Sequence, residues 1–467
     1  MRYVSTRGQS PPVSFLDAVL AGLAPDGGLY VPESWPSMFE GDVERWNSAT
    51  MSYAVTAGYA LERFAGSELA DSSLAHDAYM NPKVFPLHVT PLVQSGPGEW
   101  ILELFHGPSL SFKDVAMQLI GPLYEFALTK RDQRLSVVCA TSGDTGGAAV
   151  EALKGRERVD LFVLLPKGRV SDVQRLFMTA SGASNVFAIE IDGDFDACQA
   201  IVKSMFADRD FSARASLSGV NSINWARIVA QSVYYHVAAN ILSAPGPVSF
   251  AVPTGNFGDA FSGYVAKRCG APIGQILIAT NSNDILARAL NTGRYERAAH
   301  SHATLSPAMD IQVASNFERM LFEALDRDGE AVRRLYDQFA QSGGFDIPKS
   351  ALDKMREHFV AASVDDTETA DEMRVSWASG EGYLACPHTA VAMRAQRKIN
   401  GLNAPIVTLA TAHPAKFPDT VEAATGMRPP LPARCADLFD RAEKFDSLPA
   451  EIEAVKSYIR ERTRAWR

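Results

Sequence analysis

The chain has 467 residues, of which 46% are hydrophobic and 21% charged, and it carries a formal net charge of −9 at pH 7. That is enough for two or three domains around large cores, in a soluble globular protein. The acidic balance, with no block of lysines or arginines, argues against nucleic-acid binding, and no apolar run approaches a membrane span, so an anionic ligand would need local positive potential.

The start, Met1 to Gly8, lacks the apolar stretch of a signal peptide. The first eighty or so residues suggest a mainly helical region, with helices predicted over Ser14–Ala24 and Ser52–Phe64. Between them, Asp26-Gly27-Gly28 forms a turn signal ahead of the short extended run Leu29–Pro32.

From about Trp100, short apolar runs alternate with helical stretches. Strands are predicted over Leu135–Ala140, Asp160–Leu165, Val186–Ile191, Val248–Val252, Gln275–Ala279 and Pro405–Leu409. Alternation at this spacing implies βαβ units, hence an α/β fold with two parallel sheets. The expected divisions are a helical N-terminal part over 1–92, a small α/β domain over 93–240 and a large one over 241–467. Residues 284–380 interrupt the alternation and suggest a helical insertion, with helices over Phe317–Asp328, Gly329–Phe339 and Ser350–Ala361 and an acidic loop over Asp365–Asp371. In open α/β sheets ligands sit at the carboxyl ends of strands, so the loops there carry the candidate chemistry.

The first is Phe105-His106-Gly107-Pro108-Ser109-Leu110-Ser111-Phe112-Lys113-Asp114, ahead of a helical run. A lysine held in a partly dry setting can lose its proton and form a Schiff base. Taken alone, a Lys-Asp pair at a helix start is more often a surface feature. Next, Ala140-Thr141-Ser142-Gly143-Asp144-Thr145-Gly146-Gly147 joins a strand to a helix. Ser142, Gly143 and Thr145, with the loop amides, suit a substrate carboxylate; Asp144 suits either a cofactor contact or a helix cap.

Asn221-Ser222-Ile223-Asn224-Trp225-Ala226-Arg227 brings amides and an arginine fork together before an apolar helix, a combination suited to phosphate or carboxylate. The strand Val248–Val252 leads into Pro253-Thr254-Gly255-Asn256-Phe257-Gly258-Asp259 and a helix. Two glycines let several N–H groups share one concavity, which favours an anion cradle, although neither the Walker nor the dinucleotide pattern is present. In Leu409-Ala410-Thr411-Ala412-His413-Pro414-Ala415-Lys416-Phe417, Thr411 ends a strand and can reach a ligand, while His413 and Lys416 fit structural or capping roles. Five cysteines without close pairing favour reduced thiols in a cytoplasmic protein over disulfides or zinc. His300 and His302 lie in a polar loop at poor spacing, and no metal site is expected.

Together these segments resemble the threonine synthase family, within the fold-type II enzymes that use pyridoxal phosphate. The likeness runs through Ser5–Gly8, Asp26–Tyr30, Phe105–Asp114, Thr141–Gly146, Asn221–Arg227 and Gly255–Asp259. It continues through Asn281-Ser282-Asn283-Asp284-Ile285, Ser315-Asn316-Phe317-Glu318-Arg319, Pro387-His388-Thr389 and Thr411–Phe417. The extra helical region is similar to the longer bacterial and fungal branch.

The resemblance implies two α/β domains with the active site between them, and pyridoxal 5'-phosphate as cofactor. It implies that Lys113 bonds the cofactor, that Gly255, Asn256, Phe257 and Gly258 hold its phosphate with Asp259 also at the cofactor, and that Thr411 meets the pyridine nitrogen. Asp144 stands where many fold-type II enzymes carry Asn, and is expected beside the cofactor. Asn221 and Arg227 would contact the substrate phosphate, and Ser222 would bind the substrate beside them. The implied reaction is the conversion of O-phospho-L-homoserine and water to L-threonine and phosphate, by a monomer or homodimer. A serine or threonine dehydratase, or a homologue that binds without turnover, are the alternatives; a dehydratase has no γ-phosphate for Arg227 to bind.

Overall fold

The computed structural model describes residues 1–38, 52–70, 72–141, 143–242, 246–379, 382–402 and 404–467. The candidate Ser142, and Gly380 at the boundary of the expected insertion, lie outside the described residues. Packing divides the chain into two compact units.

The larger unit comprises Met1–Val19, Leu23–His106 and Ser222–Pro429. Its main sheet has six strands in the order Phe359–Ser363, Ile273–Thr280, Val248–Pro253, Ile406–Ala410, Glu99–Glu103 and Leu92–Gly96. All neighbours are parallel except the last pair, an antiparallel hairpin at the edge. Val248–Pro253 is buried along its whole length, as expected for a central strand covered on both faces. The turn at Asp26–Gly28 feeds the strand Tyr30–Pro32, which pairs antiparallel with Tyr3–Ser5 as the extended run suggested.

The smaller unit comprises Leu20–Gly22, Gly107–Asn221 and Pro430–Arg467. Five parallel strands follow the order Asp446–Pro449, Val186–Asp192, Val159–Pro166, Leu135–Ala140 and Leu217–Ser218. Its core joins Phe162, Ile189, Cys198 and Met205 to Val455, Tyr458 and Ile459 from the helix Ile452–Arg462.

These units do not follow the linear division into 1–92, 93–240 and 241–467. Strand Glu99–Glu103 and helix Trp225–Leu242 pack with the larger sheet, and the last 38 residues, Pro430–Arg467, complete the smaller one. Each sheet is completed by strands remote in sequence, which a local pattern does not announce. Two further expectations need correction. The run Ser350–Ala361 is not one helix: Lys349–Arg356 is helical, then Phe359–Ser363 pairs with Ile276–Thr280 as an edge strand of the main sheet. The acidic run Asp365–Asp371 is no loop. Asp365 caps the helix Asp366–Ala378 in a reciprocal box with Glu368, and acidic groups at a helix start are favoured by the exposed N–H groups there.

Candidate active site

In the smaller unit, Lys113 is the first residue of the helix Lys113–Arg131 and is 8% exposed. Asp114 shapes the loop ahead of it. Its carboxylate accepts from Ser109 N at 2.9 Å, Ser109 Oγ at 2.7 Å and Ser111 N at 3.3 Å. These bonds satisfy donors at the helix start and close the chain into a tight turn. Gly107 makes that turn possible, because a Cβ there would stand 2.2 Å from the Asp114 Cβ. Leu110 is left with a positive φ of 62° and bonds back to the Gly107 carbonyl at 3.1 Å, so the turn is held from both ends. The Asp144 carboxylate lies 3.4 Å from Lys113 Nζ, and the Phe112 ring lies 4.6 Å from it.

Asp144 opens the helix Asp144–Leu153, whose cap is Gly143. Its side chain is therefore directed to Lys113 and Gln174 instead of acting as the N-cap. Gln174 Nε2 donates to Asp144 Oδ1 at 3.0 Å while its own helix is closed by a reciprocal box with Ser171. Thr141 Oγ1 accepts from Gly143 N and Gly146 N, each at 3.0 Å, which folds the loop; Thr145 is half-buried in the first helical turn. Asn221 is exposed at the end of this unit.

In the larger unit, Thr254–Phe257 joins the strand Val248–Pro253 to the helix Gly258–Arg268. Phe257 takes a left-handed φ of 64° at the helix start, turning the backbone sharply. Gly255 is tightly covered, since a Cβ would meet the Ala308 carbonyl at 2.9 Å; one at Gly258 would stand 3.1 Å from Asn316 Nδ2. Asp259 has a different setting from the glycines. Its Oδ1 accepts from the Tyr235 hydroxyl at 2.9 Å and from the Tyr234 hydroxyl, tying the cradle helix to Trp225–Leu242.

Arg227 lies in the first turn of that same helix and is 3% exposed, so it is not the ordinary surface arginine. Asn224 fixes the turn: its Oδ1 accepts from Ala226 N at 3.0 Å and its Nδ2 donates to the Val19 carbonyl at 2.8 Å. Ser222 and Ile223 are half-buried just ahead. Thr411 is buried directly after the strand Ile406–Ala410. His413 caps the next turn by accepting from Ala415 N at 3.1 Å and packs edge-on against Phe105, in keeping with the capping role. Lys416 is buried inside that turn.

Sequence reasoning gave no role to Gln174, Asn316 or Arg319. For Gln174 the Ser171-x-x-Gln174 spacing was a readable capping signal, but nothing local pointed to Asp144. Arg319 is fully buried, its guanidinium 5.4 Å from the Trp225 ring, and burial pushes its pKa down to about 9.

Three family models match the chain: "Threonine synthase N terminus" over residues 2–79, "Pyridoxal-phosphate dependent enzyme" over 86–412 and "Threonine synthase, C-terminal" over 389–459. A threonine synthase of Pseudomonas aeruginosa is 45% identical over 473 residues, covering 98% of each chain. The pyridoxal phosphate-bound threonine synthase of Brucella melitensis superposes with a TM-score of 0.94 at 51% identity over 100% of both chains. The yeast threonine synthase structure gives 0.91 at 37%, covering 99% of this chain and 98% of its own.

Proposed function

From a chain that belongs to the threonine synthase family of fold-type II, pyridoxal phosphate-dependent enzymes, we infer both the reaction and the roles of the residues that perform it. The reaction is the conversion of O-phospho-L-homoserine and water to L-threonine and phosphate, a carbon–oxygen lyase chemistry that closes threonine biosynthesis. The single observation that carries the residue assignment is Lys113: a buried amine at a helix start, with a carboxylate at 3.4 Å.

The residues fit the cofactor. The covered glycine loop and helix start at Gly255–Gly258 suit its phosphate, and the buried Thr411 hydroxyl suits its pyridine nitrogen. When bound, pyridoxal phosphate supplies an electron-withdrawing ring that stabilises negative charge at the substrate Cα. Lys113 would hold the cofactor, and its Nζ would take the substrate Cα proton and return one there. Asp144 steadies that amine between its two states, and Gln174 keeps the carboxylate aimed.

Gly255, Asn256, Phe257 and Gly258 bind the cofactor phosphate through backbone N–H groups. Asp259 serves them by fixing the helix start through the two tyrosines. Thr411 offers a neutral hydroxyl in place of a carboxylate, which does not hold the ring nitrogen protonated and so disfavours transamination. Ser142, Gly143 and Thr145 receive the substrate carboxylate. Asn221, Ser222 and Arg227 receive its phosphate, where a guanidinium stabilises the charge that leaves with the departing group.

Among the described residues no helix is long and apolar enough to cross a membrane. The five cysteines are buried and form no disulfide, which fits a reducing, cytoplasmic setting, for a monomer or homodimer. The test is product analysis with O-phospho-L-homoserine. Equal amounts of phosphate and threonine are expected. Phosphate released with a 2-oxo acid and ammonia in place of threonine would overturn the assignment in favour of a dehydratase-like outcome.

A further inference from the structure

Asn316 makes an unusual set of bonds for one buried amide. Its backbone N donates to the Asn256 carbonyl at 3.1 Å. Its Nδ2 donates to that same carbonyl and to the Ser222 carbonyl, each at 3.2 Å. Arg319 holds the other end, donating to Asn316 Oδ1, and also donates to the Ile223 carbonyl at 2.6 Å and the Tyr30 carbonyl at 3.0 Å. Asn316 and Arg319 are both fully buried, so these bonds are shielded from competing water.

A trans peptide is planar, with its C=O and the next residue's N–H pointing in opposite directions. Anchoring the Asn256 carbonyl on Asn316 therefore turns the Phe257 N–H away from Asn316. Anchoring the Ser222 carbonyl does the same for the Ile223 N–H. The Asn316 side chain, together with its backbone N–H at Asn256, thus fixes the direction of a donor in the glycine cradle and of a donor in the segment leading to Arg227.

We propose that Asn316, braced by Arg319, is a positioning residue that aims the Phe257 N–H at the cofactor phosphate and the Ile223 N–H at the substrate phosphate. The proposal rests on the reading of Gly255–Gly258 as the cofactor-phosphate cradle. Asn316 touches neither ligand. It acts by preventing the two peptides from flipping, so that the donors are already oriented when a phosphate arrives.

The variant that isolates this role is Asn316→Asp. It keeps the shape and the oxygen facing Arg319, but replaces the donor to two carbonyls with an oxygen that repels them. Apoenzyme is titrated with pyridoxal phosphate and, separately, with pyridoxal, which lacks the phosphate. Asn316→Asp is expected to weaken pyridoxal phosphate binding by about 10- to 100-fold and to leave pyridoxal binding within about twofold. Equal weakening of both ligands, or of neither, would overturn the proposal. Gly255→Ala supplies the control on the underlying reading, because its Cβ meets Ala308 and not Asn316. If Gly255→Ala selectively weakens pyridoxal phosphate and Asn316→Asp does not, the cradle stands and the positioning role falls. If neither variant discriminates, the cradle reading itself falls. Should the Asp variant not fold, Asn316→Ser, which removes the amide without adding charge, is expected to show the same selectivity.

Discussion

The Lys113 segment and the Gly255–Gly258 cradle are built on opposite principles. The lysine loop is largely held by its own neighbours: Asp114 ties down Ser109 and Ser111, five and three residues back, and Gly107 makes room for its side chain. The cradle is held from afar, by Ala308, by Asn316 and, through Asp259, by Tyr234 and Tyr235. The lysine loop is closed mostly by local bonds, with one distant support from Arg434, which donates to the Gly107 carbonyl at 2.7 Å. The cradle's backbone N–H groups are set mainly by partners distant in sequence, with Thr254 and Asn256 adding bonds of their own.

The largest expected effect lies on the lysine side. Lys113→Ala should lower threonine formation by about a thousandfold or more, while thermal unfolding shows a folded chain. Substantial turnover in that variant would remove Lys113 from the centre of the account. Gly107→Ala tests whether the lysine loop is truly self-contained. The new methyl displaces the Asp114 carboxylate from its three donors, at an expected cost of about 2–4 kcal/mol, read from denaturant midpoints. A neutral result would mean the loop is held from elsewhere, as the cradle is.

A smaller effect, on the cradle side, depends on pH. His236 lies on the helix Trp225–Leu242 that carries Arg227 and the two tyrosines. Burial pushes its imidazole from an ordinary 6.5 down to about 3, so it is neutral in the folded chain. The unfolded chain takes up a proton below about 6.5 that the folded chain refuses until about 3. Stability is therefore complete above pH 6.5 and falls as the pH drops, by at most about 1.4 kcal/mol per unit for this group. His236→Gln should flatten the decline between pH 7 and 5, measured by urea unfolding. An unchanged slope would place the acid sensitivity elsewhere.

The same contrast governs what could be read from the sequence. Leu135–Ala140 was predicted to the residue and Val248–Val252 within one, because buried parallel strands are short apolar runs with glycine-rich exits. The two glycine loops were legible as loops for the same reason, since strand, loop and helix follow one another within about ten residues, while the Lys113 segment showed only as a Gly-Pro turn ahead of a helical run. The edge strands Phe359–Ser363 and Asp446–Pro449 were missed, since their pairing partners lie some eighty and more than two hundred residues away. Asn316 appeared in a recognisable motif, yet its partner Asn256 is 60 residues distant and is bonded through a backbone atom that leaves no mark on composition. Gln174 was hidden in the same way, 30 residues from the Asp144 it orients.

The most direct test of the central claim is where the cofactor becomes attached. The enzyme loaded with pyridoxal phosphate is reduced with borohydride, digested and mapped by mass spectrometry. Attachment through Lys113 places the pyridoxyl group on the peptide containing that residue, with none elsewhere at matching stoichiometry. Recovery of the label on Lys416, the other buried lysine beside a candidate loop, would contradict it.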